Sequence, residues 1–144
     1  PDALVLIQPT SPFILPGHIG MLIDLLAHSP WAASAHNIAP VSHNAHAWNQ
    51  RVIDDDGRVS FLFAEERKSA RNKQEKPKLY AFGNLIMARK EPLLEGNGFY
   101  AQPSVATTID PPYEFDLDTA ADIAQAESLI ASGIVTLPHI QTDG

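Results

Sequence analysis

Ala3-Leu4-Val5-Leu6-Ile7 is an unbroken apolar run that stops abruptly at Gln8-Pro9-Thr10-Ser11-Pro12. A short apolar run ending in turn-forming residues is the pattern of a strand buried on both faces, with a neighbour on each side. Two prolines stiffen the loop that follows. Pro16 then opens a helix whose apolar residues Ile19, Leu22, Ile23 and Leu26 recur at helical spacing, and His28-Ser29-Pro30 closes it. Strand, loop and helix in that order lead to the expectation of an α/β fold.

The remaining chain keeps that order with one interruption. Trp31 to Ala35 reads as a second strand, and Asn37 to Asn49 as a polar loop bearing histidines. Arg51-Val52-Ile53 and Arg58 to Phe63, joined through Asp54-Asp55-Asp56-Gly57, read as a β-hairpin. A charged stretch, Glu65 to Lys78, precedes an apolar strand from Leu79 to Met87. A short helix over Glu91 to Leu94 follows, then extended pieces near Phe99 and from Val105 to Ile109. The sequence has no internal repeat, and its 144 residues are expected to form a single domain with the 37–63 hairpin inserted.

Composition excludes several kinds of chemistry. A net charge of −7 argues against broad binding to nucleic acid or to membrane surfaces. The absence of cysteine rules out thiolate nucleophiles, disulfides and Cys-ligated zinc, and fits a cytoplasmic setting. No apolar run approaches the roughly 20 residues of a membrane-spanning helix. The chain passes from Pro1-Asp2 straight into a strand of buried character, as a chain does when it begins inside a larger fold.

Chemistry concentrates in three places. In Phe115-Asp116-Leu117-Asp118 the acids alternate with apolar residues, so an extended segment points both carboxylates to one face. From Thr119 the period becomes helical through Ile123, Ala126, Leu129 and Ile130, and Thr119 with Asp122 has capping-box spacing. Two carboxylates at a strand end feeding a helix suit a hard divalent cation such as Mg²⁺. The alternative is that Asp118 helps to cap the helix and Asp116 is simply exposed. Gln8, Thr10 and Ser11 lie where ligands bind in open α/β sheets, just beyond the carboxyl end of a strand, or else they satisfy a structural turn. Arg67, Lys68, Arg71, Lys73, Lys76 and Lys78 hold six of the ten Lys and Arg residues. Such a run can receive a polyphosphate or a sugar carboxylate, or it is a solvated loop balanced by Glu65, Glu66 and Glu75. His36, His43 and His46 match no compact zinc spacing.

Taken together, Leu6-Ile7-Gln8-Pro9-Thr10-Ser11-Pro12, the Trp31–Ala35 segment, the basic loop ending in Gln74 and Pro77, and Asp116-Leu117-Asp118-Thr119 with Asp122, Ala126 and Glu127 resemble, in this order, the acylneuraminate cytidylyltransferases. These are also called CMP-sialic acid synthetases, with relatives acting on other nonulosonic acids and on 3-deoxy-manno-octulosonate. The resemblance implies a Rossmann-like nucleotide-diphospho-sugar transferase fold, here partial and carrying the inserted hairpin. The implied reaction joins CTP to the anomeric hydroxyl of an acidic sugar and releases pyrophosphate. It assigns Mg²⁺ to Asp116 and Asp118, a catalytic role to these two acids with Lys73, sugar contact to Gln8 with Thr10 and Ser11 beside it, and substrate contact to Arg71 and Gln74.

The chain departs from that pattern in places. Lys73 stands where many members carry arginine and cannot reproduce a bidentate guanidinium. Gly83-Asn84 reverses the Asn-Gly order common in the family, and Met87 replaces a usual aromatic. Nothing matches the family's N-terminal glycine- and basic-rich CTP loop, so the expectation is a C-terminal portion that turns over poorly alone, or a non-catalytic module built on the same fold. A nucleotidyltransferase for another base or sugar is the third expectation. The apolar hairpin leads to the further expectation of a homodimer held through 37–63.

Overall fold

The computed structural model describes residues 1–69 and 76–140. They fall into two compact units, Pro1–Ala39 with Phe82–Gly144, and Pro40–Ala81.

The first unit is built on a four-stranded sheet. Strands β1 (Ala3–Ile7), β2 (Ser34–Pro40), β5 (Tyr80–Arg89) and β6 (Ser104–Thr108) lie in the order β1-β5-β2-β6. β1 runs antiparallel to β5 with Ile7 opposite Leu85, and β2 runs parallel to β6 with Asn37 opposite Thr107. Helix α1 (Pro16–His28) lays Leu22 and Leu26 on Leu85 and Met87 of β5, with Ala32, Ala35, Val5 and Val105 completing the layer. Each buried leucine contributes about 1.5–3 kcal/mol by leaving water. Gly83 to Ala88 are all buried, so β5 is covered on both faces, as an inner strand must be. A short helix α3 (Lys90–Leu94) continues from β5.

Helix α4 (Ala120–Ala131) closes a second cluster in the same unit. Ala126 and Val135 pack on Phe13, with Tyr113, Phe115, Leu117, Leu129 and Leu137 around them. The rings of Phe13 and Phe115 are 5.7 Å apart. Phe13 follows the Gln8–Pro12 loop in sequence and Phe115 precedes Asp116, so a single apolar cluster anchors both candidate segments.

Four expectations need correction. β1 is an edge strand among the described residues, and Leu4 and Ile7 are exposed, so its apolar run does not mean burial on both faces. β2 begins at Ser34 rather than at Trp31, and Trp31 is exposed. Ala32 serves a different purpose: the Arg89 guanidinium donates to its carbonyl (2.8 Å) and to those of Leu26 (2.8 Å) and Ser29 (3.4 Å), closing the end of α1. Ile23 is exposed on α1, as are Ile123 and Ile130 on α4, so the buried stripe of each helix is narrower than its apolar pattern. Finally, residues 115–118 alternate in burial but form no strand.

The second unit contains the hairpin. β3 (Arg51–Ile53) and β4 (Val59–Phe61) pair antiparallel with Arg51 opposite Phe61. The turn closes through Asp54, whose Oδ1 accepts from the amides of Asp56 (3.0 Å) and Arg58 (2.8 Å), with Gly57 at φ +79°. Arg58 pairs with Asp56 across it. Helix α2 (Ala64–Ser69) follows, and Lys68 bonds Glu65 at 2.6 Å. Arg67 and Arg51 place their guanidinium carbons 4.1 and 4.7 Å from the Phe61 ring centre.

A close backbone approach in the sheet generates a stability prediction. A Cβ on Gly83 would stand 2.7 Å from Asn37 Oδ1 and 2.8 Å from the Asn37 carbonyl oxygen, whereas one on Gly20 in α1 would meet nothing within 4 Å. Denaturant unfolding should show Gly83→Ala losing about 2–3 kcal/mol, and Gly20→Ala gaining roughly 0.5–1 kcal/mol.

Candidate functional site

The loop after β1 turns on a bond from the Ser11 amide to the Gln8 carbonyl, 3.1 Å. One residue inside that turn, the Thr10 carbonyl accepts from the Leu117 amide at 2.8 Å. This bond sets the Gln8-Thr10-Ser11 loop beside the Asp116–Asp118 segment. Phe115 and Leu117 face the apolar cluster, and Asp116 and Asp118 are exposed, so both carboxylates leave the core.

Neither carboxylate is taken up by the fold. The N-cap of α4 is Thr119, whose Oγ1 accepts from the Asp122 amide at 3.4 Å. Asp122 Oδ2 in turn accepts from Thr119 Oγ1 (2.8 Å), the Thr119 amide (2.6 Å) and the Asp118 amide (3.1 Å). The Thr119 hydroxyl and amide bonds hold the Asp122 carboxyl below its usual range. Capping is therefore complete without the Asp118 side chain, which sits one residue before the cap at the positive end of α4. Asp116 and Asp118 have no hydrogen-bond or ion-pair partner among the described residues, and neither do the side chains of Gln8, Thr10 and Ser11.

No three His, Cys, Asp or Glu side chains converge on a cation position among the described residues. Two exposed carboxylates would suit Mg²⁺ chemically. Mg²⁺ keeps several waters and is held by one or two carboxylates plus substrate oxygens, whereas zinc and calcium ask for fuller protein cages. Among the loop histidines, His46 is used structurally, with Nδ1 accepting from the Trp48 amide (3.1 Å) and Nε2 on the Pro77 carbonyl (3.0 Å). Arg71, Lys73 and Gln74 lie outside the described residues. Of the rest of the basic run, Arg67 and Lys76 both donate to Asn49 Oδ1, at 2.6 and 2.7 Å.

Comparisons with known proteins bear on the fold as a whole. No family model matches the sequence. The chain is 25% identical over 130 residues to a CMP-N,N'-diacetyllegionaminic acid synthase of Legionella pneumophila, covering 90% of this chain and 54% of that protein. Its fold matches a CMP:2-keto-3-deoxy-manno-octonic acid synthetase solved in complex with CTP, with a TM-score of 0.61 at 14% identity, over 92% of this chain and 63% of the other. The chain is thus similar in sequence to one CMP-sugar synthase and in fold to another. It has the Rossmann-like nucleotidyltransferase fold, and it spans about half the length of its Legionella relative.

Behind the two candidate segments lies a buried polar cluster that sequence reasoning missed. Asn37 and Asn84 are fully buried, and His18 nearly so. Asn37 Oδ1 accepts from the amides of Asn84 (2.9 Å) and Leu85 (2.8 Å), while its Nδ2 donates to Asn84 Oδ1 (2.7 Å). Asn84 Nδ2 faces the Tyr113 carbonyl (2.9 Å), His18 Nδ1 (3.0 Å) and, more distantly, the Phe13 carbonyl (3.5 Å). The available signal was the Gly83-Asn84 dipeptide inside an apolar strand, where a glycine marks close approach and a buried amide demands partners.

Burial holds the His18 imidazole below its ordinary value of 6.5, and does the same to His36. A folded value below the unfolded one means the unfolded chain binds more protons in between. Stability from neutral His18 is thus complete above about pH 6.5 and is lost as pH falls through the lower folded value. Unfolding midpoints should drop between pH 7 and 5, and His18→Gln should flatten that slope without abolishing the part due to His36.

Proposed function

We propose that this chain carries the acid-pair half of a CMP-sugar synthesis site, transferring CMP from CTP to an acidic nonulosonic sugar. The observation that carries the reading is the Leu117–Thr10 bond, which sets a polar loop against two carboxylates that the fold leaves without partners. The names of the two similar proteins, both CMP-sugar synthases, point the same way.

In this reaction the anomeric hydroxyl oxygen of the sugar bonds to the α-phosphorus of CTP. The bond from that phosphorus to the bridging oxygen breaks, pyrophosphate leaves with its electron pair, and the hydroxyl proton passes to water. Positioning and charge neutralisation dominate such a transfer. Asp116 and Asp118 would hold Mg²⁺, which would supply positive charge to neutralise the phosphate. Gln8, Thr10 and Ser11 orient the sugar through its hydroxyl groups. Arg71, Lys73 and Gln74 receive its carboxylate, with Lys73 acting as a point charge on sugar or phosphate. Turnover by these 144 residues alone is weak in this reading, and the setting is cytoplasmic, where a cysteine-free chain is at home.

Titration calorimetry tests the site. The chain should bind CTP or a nonulosonic acid in a Mg²⁺-dependent way, weakened roughly tenfold or more by Asp116→Ala or Asp118→Ala. Both variants should stay within about 0.5 kcal/mol of the parent in stability, since the two acids are exposed. Unchanged Mg²⁺-dependent binding in both would overturn the assignment of the acids.

A specific observation also supports a homodimer held through residues 37–63. Val52, Ile53, Val59 and Leu62 are exposed on a two-stranded ribbon, Ile53 to 71%, and such a ribbon is marginal in water without a covering partner. A second copy covers it through a self-complementary patch. If this dimerisation is the chain's sole activity, calorimetry will find no nucleotide or sugar binding. Light scattering at micromolar concentration should give twice the chain mass, and Ile53→Asp should halve it. A monomeric parent, or a dimer indifferent to that change, would refute the interface.

A further inference from the structure

The geometry points to Asn84 as a positioning residue that fixes the Gln8–Ser11 loop against the Asp116–Asp118 segment. The inference rests on the reading of those segments as one site, and it concerns a residue that contacts neither substrate nor metal.

The orientation of each amide in the cluster follows from its neighbours. Asn37 Oδ1 accepts two backbone N–H groups, so its Nδ2 is the group facing Asn84. Asn84 must therefore present its oxygen to Asn37, leaving its two N–H groups for the other side. There they meet the Tyr113 carbonyl and His18 Nδ1, with the Phe13 carbonyl at the margin. His18 Nδ1 also accepts from the Leu15 amide at 3.3 Å, so it carries no proton and the neutral ring is protonated on Nε2. The Tyr113 ring meets His18 edge-on, with centres 5.6 Å apart.

These contacts join three pieces of chain. Phe13 and Leu15 belong to the segment leaving the Gln8–Pro12 loop, His18 to the first turn of α1, and Tyr113 to the turn entering the acid segment. Asn84 sits on β5 next to Leu85, the residue paired with Ile7 at the end of β1. One carboxamide thus references both segments to the sheet, and the Leu117–Thr10 bond closes the same loop of contacts further along. A buried group that loses a partner incurs the full desolvation penalty, so small chemical changes here separate the segments before they unfold the sheet.

The test is NMR of the ¹⁵N-labelled chain with the nearly isosteric Asn84→Asp, which puts an oxygen where the Tyr113 carbonyl and His18 Nδ1 expect a donor. Exchange of the Leu117 amide should accelerate roughly tenfold or more beyond any change in global stability measured in urea. The His18 ring should move from the neutral Nε2–H form to the doubly protonated form at neutral pH. With Mn²⁺ as the probe, amides 116–118 should stay broadened in the variant while broadening at Thr10 falls several-fold. Unchanged Leu117 exchange and Thr10 broadening would make Asn84 a purely structural residue. Should the variant not fold, the parent decides: an Nδ1–H tautomer of His18 overturns the network, and the Nε2–H tautomer upholds it. Absence of Mn²⁺ broadening in the parent would end the metal reading of Asp116 and Asp118, while the exchange and tautomer results still test the role of Asn84.

Discussion

The fold turns on a place where two strands come too close for a side chain. Gly83 lies against the Asn37 peptide, and the Asn37 carboxamide reaches across to take the amides of Asn84 and Leu85. Glycine permits the approach, and the amide supplies the acceptor that the crowded backbone would otherwise lack. Because Asn37 spends its oxygen on the backbone, its nitrogen orients Asn84, and Asn84 orients the chain on either side of the candidate site. Buried polar clusters of this kind are stabilising only when every member is satisfied, as these are.

That dependence explains what was legible in the sequence. The acid segment could be read because its alternation is a local pattern with one physical outcome: Phe115 and Leu117 go to the cluster with Phe13, and Asp116 and Asp118 go to water. Thr119 and Asp122 could be read because capping needs a fixed spacing. The hairpin was legible from its Asp-rich turn ending at Gly57. β2 was legible only at its start, within the strand read over Trp31 to Ala35, because polar residues such as Ser34, His36 and Asn37 give it a loop-like look. Their polar groups are satisfied by partners distant in sequence: Ser34 Oγ by the Ala101 carbonyl at 2.8 Å, and Asn37 by β5. β1 misled in the opposite sense, since an apolar run is silent on whether a second neighbour is present. Asn84 and His18 were missed for the same reason as the rest of β2, as their partners are set by topology.

The division of labour at the start of α4 matters for chemistry. A helix N-terminus favours negative charge, and here Asp122 satisfies the exposed amides together with Thr119. Had Asp118 been the capping residue, its carboxylate would be engaged with backbone amides and poor at holding a cation. With the cap filled from inside the helix, the Asp118 side chain remains uncommitted, and Asp116 stands two residues away on the same face. The local fold thus relieves the Asp118 side chain of the capping role that the sequence left open to it.

Charge adds a constraint on the proposed reaction. Both CTP and a nonulosonic acid are anions, and the chain carries a net charge of −7. Long-range attraction cannot draw them in, and at close range Asp116 and Asp118 repel a triphosphate unless a divalent cation lies between. Each carboxylate pair in such a site binds its ion weakly when alone, because Mg²⁺ dehydrates reluctantly and two carboxylates fill only part of its coordination shell. In the proposed reaction phosphate oxygens would complete that shell, so metal and nucleotide would stabilise each other's binding. By linkage the coupling is reciprocal: whatever Mg²⁺ adds to nucleotide affinity, nucleotide adds to Mg²⁺ affinity by the same factor.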